Sequence, residues 1–181
     1  MAIEKELKYI AKEGFEPLAI RKQEMIQGYL CSHHQGLNLT LRVRVAGDKA
    51  YLTIKGMPLE EDLASRNEYE YEIPLTDAKE MLKMSLYPPI HKIRYWIPWE
   101  GYTFEVDRFL GENEGLITAE VELSPGQDPP VNLPEWICAE VTGKGRYYNS
   151  ALSRLPFKQW DSKRKSHYTS IQEQHNTIKE K

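Results

Sequence analysis

The residues best equipped for chemistry stand two apart, in groups of one sign. Glu4 and Glu6 open the chain, with Lys8 next in the same rhythm. Arg42 and Arg44 follow, then Glu68, Glu70 and Glu72, Lys92 and Arg94, Glu105 and Asp107, and Glu120 and Glu122. Alternate side chains of a strand point to opposite faces, so each group shares a face. Clustered carboxylate oxygens are hard ligands, suited to Mg2+ or Mn2+ rather than Zn2+. Arg42 and Arg44 offer planar forks that match phosphate oxygens, and Lys55, Lys92 and Arg94 add positive charge. Metal, arginine and lysine together are the equipment of phosphoryl transfer.

An ordinary half-exposed strand also alternates apolar and polar residues, and charges on its outer face are simply solvated. These faces differ in being almost purely ionic and of one sign per strand. Like charges two apart repel, which costs stability unless counter-charges or metal ions lie between them. An inverted barrel resolves this. The charged faces line a wet lumen, and Leu7, Val43, Val45, Leu52, Ile54, Ile93, Ile97, Val121 and Leu123 pack outward under helices. Unpaired charges in a dry interior would be prohibitive.

Strands are expected near residues 3–9, 24–30, 39–46, 49–55, 66–73, 91–96, 102–108, 117–123 and 139–141. Gly47-Asp48 and Trp99-Glu100-Gly101 close hairpins, and Pro98 marks the end of the strand before it. A helix capped by Thr76 carries Ala78, Met81 and Leu82 and stops before Pro88-Pro89. A second starts at Asn149 and ends at Pro156, and residues 125–134 form a loop with a short helix at 135–138. Many strands and few helices give an antiparallel barrel or strongly curved sheet with helices outside, an α+β arrangement. One domain over residues 1–160 is expected, followed by a polar tail or loose helix over 161–181.

The 181 residues suffice for one domain with a core. A formal net charge of −3 argues against a general nucleic-acid binder while leaving room for a small anion bound by local charge. Cys31 and Cys138 lack metal or disulfide spacing and read as free thiols of a reducing cytoplasm. No apolar run reaches the roughly 20 residues of a membrane span, and no secretory leader opens the chain.

In order, the segments Glu4-Lys5-Glu6-Leu7-Lys8 (ExExK), Gln27-Gly28-Tyr29-Leu30, Arg42-Val43-Arg44, Leu52-Thr53-Ile54-Lys55-Gly56, Arg66-Asn67-Glu68-Tyr69-Glu70, Lys92-Ile93-Arg94, the acidic strands at 104–107 and 119–122, and Tyr147-Tyr148-Asn149-Ser150 resemble the CYTH superfamily of triphosphate tunnel metalloenzymes. The resemblance covers residues 1–160. It implies an eight-stranded antiparallel β-barrel, a charged tunnel that binds triphosphates with Mg2+ or Mn2+. By that resemblance Glu4, Glu6, Glu68, Glu70, Asp107, Glu120 and Glu122 are metal ligands, and Arg42, Arg44, Lys55, Lys92 and Arg94 hold triphosphate. Lys8 either touches phosphate or orients the attacking water, with Glu4 and Glu6 beside it in catalysis. Glu105 stands behind the ligands, Glu72 lies at a strand end, and Arg66 pairs with acids or binds substrate. Lys144 and Arg146 cover a tunnel mouth or sit in a solvated loop. His33 and His34 fall in an exposed loop.

The function implied is hydrolysis of inorganic triphosphate to diphosphate and phosphate, with weaker action on nucleoside triphosphates. A class IV adenylate cyclase would use the same charges but needs an adenine site, for which no residues stand out. A thiamine-triphosphatase needs an aromatic clamp, with Trp96 or Trp99 as candidates. A non-catalytic polyphosphate-binding or nucleotide-binding module would have lost its acids, and here none is lost. The expected partner is a small triphosphate, not nucleic acid or membrane, and the chain is a monomer or homodimer.

Overall fold

Apolar residues on one parity and charged residues on the other produce nine strands. They are β1 (Ile3–Ala11), β2 (Arg21–Cys31), β3 (Leu39–Ala46), β4 (Lys49–Gly56), β5 (Ser65–Ile73), β6 (Ile90–Trp99), β7 (Tyr102–Phe109), β8 (Ile117–Glu122) and β9 (Ile137–Glu140). The computed structural model describes residues 3–31, 39–58 and 64–177, and His33 and His34 lie outside them. The first eight strands close on themselves in the order β1-β5-β4-β3-β2-β6-β7-β8, with β8 and β5 both pairing β1. Every neighbouring pair is antiparallel. The charge pattern implies a barrel and the resemblance implies its eight strands, and the ring has both.

Register carries the charged parity around the whole ring. Glu6 lies opposite Glu122 and Lys8 opposite Glu120. Glu120 lies opposite Glu105, and Asp107 opposite Arg94. Across the barrel, Arg42 faces Thr53, and Thr53 faces Glu70. The other parity is apolar and points outward. Val43 and Ala50 pack beneath α1 (Leu75–Lys83), with Leu82 and Met81. Leu7, Tyr9, Phe104, Val106 and Val121 pack with Trp136 in a second outer layer. Fully burying a side chain such as Phe104 contributes about 1.5–3 kcal/mol. At Gly28 the chain just past the end of α1 runs so close that a Cβ would lie 2.0 Å from Ser85 Oγ.

The lumen is charged over only part of its length. The same faces continue from Glu6 and Lys8 to Ile10, from Arg94 and Lys92 to Ile90, and from Glu105 and Asp107 to Phe109. Those three apolar residues cluster with Leu116, Val141, Tyr147, Leu152, Trp160 and Tyr168. The tunnel is therefore blind, sealed at one end by hydrocarbon and by α2 (Asn149–Arg154).

Several local expectations change. Pro98 stays inside β6, because β2 pairs that strand only as far as Trp96 and no ladder bond is lost. The turn after it has φ of 45° at Glu100 and 83° at Gly101, the paired positive values of a type I′ hairpin. Helix α1 begins at Leu75, so Thr76 lies in its first turn and Pro74 takes the capping position. Residues 135–138 contain no helix. Instead β9 begins at Ile137, because β1 pairs β5 only as far as Lys5 and takes β9 as its partner on that edge from Tyr9 onward. Of the tail or loose helix expected after Asp161, the described part is helical. It is α3 (Ser162–Thr177), docked through Tyr168, whose hydroxyl accepts the Ile117 N–H at 2.9 Å, and Gln172, which donates to Ala11 O at 2.8 Å.

Candidate active site

A cavity of about 460 Å3 occupies the charged part of the barrel. One wall comes from β3, β4 and β5. Arg42 donates to Thr53 Oγ1 at 3.0 Å and to Glu70 at 3.2 Å, while Arg44 reaches both Glu70 oxygens at 3.1 Å. Thr53 donates to Glu70 at 2.7 Å, and Lys55 pairs with Glu68 at 2.5 Å. Arg44 is crowded: burial first, then the charges of Arg42 and Arg94, push its pKa down to about 10. Its Nε and that of Arg42 are shielded from solvent without a hydrogen-bond partner. Neighbouring cations crowded in this way favour an anion that joins them.

The opposite wall and floor come from β1, β6, β7 and β8. Lys8 pairs closely with Glu120, which also accepts from Arg94 at 2.9 Å. Burial pulls the Lys8 ammonium toward neutrality, but Glu120 and Glu6 outweigh it and hold its pKa above the ordinary value. Burial likewise works against the Glu120 carboxylate, and Lys8 and Arg94 outweigh it, keeping that group ionised well below its usual range. Arg94 also pairs with Glu105. Where β1 leaves β5, the Lys8 backbone is pinned by Thr142 Oγ1 at 3.0 Å and by Val141 N–H at 2.7 Å.

At the seam, Glu6 and Glu122 both line the cavity, and Arg66 comes to 3.8 Å of Glu6. Arg66 thus does pair with an acid. Of Glu4 only the strand position is described, opposite Arg66 in the register.

Two expected site residues are not brought to the cavity. Asp107 and Lys92 are fully buried below its floor and do not line it. Asp107 accepts from Lys92 at 2.5 Å and from Arg94 Nε and Nη2 at 2.7 Å each, which leaves its oxygens engaged with cations rather than open to a metal. Burial opposes its charge, yet Arg94 and Lys92 hold its pKa low. Lys92 is itself pushed down to about 8 by burial and by Arg94. Parity puts both residues on the lumen face, but it does not say how deep. Glu72 is exposed and pairs with Lys49 at 3.2 Å, away from the cavity.

Thr53 and Tyr29 were not singled out from the sequence, yet both bear on the site. Thr53 shares the face of Lys55, two residues on. Tyr29 lines the cavity, accepts from Gln27 Nε2 at 3.0 Å, and has its pKa pushed up to about 12 by burial. Trp96 lines the mouth, but Arg21 covers its ring at 4.4 Å and its N–H is given to Glu105 at 2.8 Å. Trp99 donates to Asn132 O at 2.9 Å and does not line the cavity. Neither offers an open aromatic clamp.

Among the described residues the ionic lining balances. Lys8, Arg42, Arg44, Lys55, Arg66 and Arg94 face Glu6, Glu68, Glu70, Glu105, Glu120 and Glu122. A divalent cation bound here would add positive charge to this lining and strengthen its hold on a polyanion. The donor set fits such a cation. Among the described residues no three His, Cys, Asp or Glu side chains gather tightly enough to hold an ion alone. Mg2+ commonly takes one or two carboxylates and completes its shell with substrate oxygens and water, which Glu6 and Glu122 at the mouth can accommodate.

Comparison with known proteins agrees with this architecture. The CYTH domain matches residues 2–151. An inorganic triphosphatase from Acetivibrio thermocellus is 51% identical over 120 residues, which cover 66% of this chain and 74% of that protein. A solved inorganic triphosphatase superposes with a TM-score of 0.55 at 28% identity, covering 84% of this chain and 95% of that one. An adenylyl-cyclase candidate from Hippeastrum, described as having a dominant triphosphatase activity, superposes with a TM-score of 0.51. At 16% identity, covering 68% of this chain and 80% of that one, it shares the fold alone.

Proposed function

The chain belongs to the CYTH family, and from that premise we propose that it hydrolyses inorganic triphosphate to diphosphate and phosphate with Mg2+ or Mn2+ bound in the cavity. The observation that carries this reading is the Arg42–Arg44 pair, two crowded guanidinium groups that line a cavity of about 460 Å3 together with Lys55 and Arg94. The similar triphosphatases support the same substrate. The covered Trp96 ring speaks against a larger aromatic substrate.

Arg42, Arg44 and Lys55 bind the phosphate oxygens, exchanging their present pairings with Glu70 and Glu68 for the substrate. Glu6 and Glu122 hold the cation, with Glu4 two residues upstream on the same strand and Glu68, Glu70 and Glu120 within the same cavity. When bound, the cation neutralises phosphate charge and activates water. Lys8 stays protonated at neutral pH, so it donates a hydrogen bond to phosphate or water and does not accept the water's proton. Asp107 and Lys92 act through Arg94, fixing its guanidinium at the floor. The apolar seal at the blind end keeps bulk water from entering behind the substrate.

Cys31 and Cys138 are both free, as suits the cytoplasm in which we place the activity. Among the described residues no helix is long and apolar enough to cross a membrane.

The deciding experiment offers triphosphate, ATP and thiamine triphosphate separately with Mg2+ or Mn2+ and identifies the products. Phosphate and diphosphate from triphosphate are expected, and Arg44→Ala should abolish them while circular dichroism stays unchanged. Cyclic AMP from ATP, or binding of triphosphate without turnover, overturns the reading.

A further inference from the structure

Outside the barrel a second hollow, of about 530 Å3, lies between the Gly145–Tyr147 turn, α2 and the start of α3. Arg146, Arg154 and Arg164 line it, with Trp160 and Leu155 as its apolar part. All three arginines are exposed. Arg164 pairs with Asp161 at 3.5 Å, and the Arg146 guanidinium lies 5.7 Å from the Tyr147 ring. Among the described residues Arg154 has no ion-pair partner. From Lys144 to Lys165 the chain holds seven Lys and Arg against a single acid, Asp161, in a protein whose net charge is −3. The fold gathers three of those seven around one hollow, although like charges so placed repel unless an anion joins them.

We propose that this hollow is a second phosphate-anion site, sized for a diphosphate-like group. Guanidinium forks recognise phosphate oxygens in pairs, and three forks around a concave floor suit a compact oxyanion better than an extended strand. The hollow shares Tyr148 and Ser150 with the active-site cavity, so one wall separates the two. The anion is free diphosphate, because the sealed end of the barrel gives a longer phosphate chain no path through that wall. That this anion belongs to the same reaction rests on the proposed function, whereas the binding itself does not.

Sodium diphosphate titrated calorimetrically into the full chain in EDTA tests the site. Two binding events are expected for the wild type. Arg146→Ala/Arg154→Ala should weaken one by roughly tenfold or more, as loss of charge-assisted hydrogen bonds does, and leave triphosphate turnover unchanged. Arg44→Ala should remove the other event. With long-chain polyphosphate as substrate the double variant should keep the wild-type KM; a KM raised about tenfold would place the outlying phosphates of a bound chain in the hollow and overturn its assignment to free diphosphate. A double variant that binds diphosphate like the wild type, or a wild type whose only event is removed by Arg44→Ala, overturns the proposal. A wild type that shows both events but no turnover of triphosphate would instead refute the enzymatic function and leave this site standing.

Discussion

Replacing Asp107 by Asn separates two roles for a buried acid. Asp107 is 0% exposed, as is Lys92, and Arg94 is 6% exposed. Its carboxylate accepts one bond from Lys92 and two from Arg94. Asparagine keeps one accepting oxygen, turns the other position into a donor facing cations, and leaves Lys92 without its buried counter-charge. Removing one partner of a buried ion pair costs about 3–5 kcal/mol. For a chain of this length each kcal/mol moves the thermal midpoint by about 2–4 °C, so a fall of roughly 6–20 °C is expected. The assay is thermal and urea unfolding followed by circular dichroism in EDTA, so that no metal contributes. Glu122→Gln, at an exposed position of the mouth, is the control and should move stability by no more than about 0.5 kcal/mol. Were Asp107 a metal ligand instead, removing its charge would abolish metal binding and leave metal-free stability unchanged. An Asp107→Asn protein with a wild-type midpoint in EDTA would refute the placement of this carboxylate as the anchor of Arg94.

Four other outcomes follow from the same geometry. Asp107 and Glu120 both have depressed pKa values in the fold, so their stabilisation is full above the ordinary carboxylate range and lost as pH falls below about 4; urea midpoints should be steady from pH 7 to 5 and drop steeply from pH 4 to 2.5, less steeply in Asp107→Asn. Gly28→Ala drives a methyl into Ser85 and should cost about 1–3 kcal/mol, largely recovered by adding Ser85→Gly, as read by urea unfolding. Tyr168→Phe leaves the Ile117 N–H without its acceptor and should cost about 1–3 kcal/mol, with faster hydrogen exchange at that amide. Glu6→Gln should lower triphosphate turnover by about 100-fold or more, and higher Mg2+ should restore part of it if Glu6 holds the cation; loss that no Mg2+ concentration relieves would remove Glu6 from that role.

The face of each functional residue was legible in the sequence because a strand's parity is fixed by the chain itself. Glu6, Arg42, Arg44, Lys55, Glu70 and Glu120 could be assigned to one lining without knowing which strands are neighbours. Depth was not legible, because it depends on strand order and stagger. Lys92 and Arg94 look equivalent in the chain, yet one lies beneath the floor and the other in it. The blind end escaped for the same reason: Ile10, Ile90 and Phe109 continue charged faces at strand ends, and only closure of the ring brings them together. The docking of α3 escaped because it rests on Tyr168 and Gln172 within an otherwise polar stretch.

Depth is also what sets the chemistry. Near the floor, each cation is answered by a buried carboxylate, and exchanging those pairs for substrate would expose charge to a low dielectric at a cost of several kcal/mol. Along the β3–β5 wall, Glu70 is more exposed and its hold on Arg42 and Arg44 is weaker, so those guanidinium groups can exchange partners at lower cost. A phosphate chain should therefore displace Glu70 before it disturbs Asp107. Glu70→Gln gives the discriminating result: freeing the arginines beforehand should tighten metal-free triphosphate binding. Weaker metal-free binding in that variant would mean that Glu70 orients the arginines rather than competing for them.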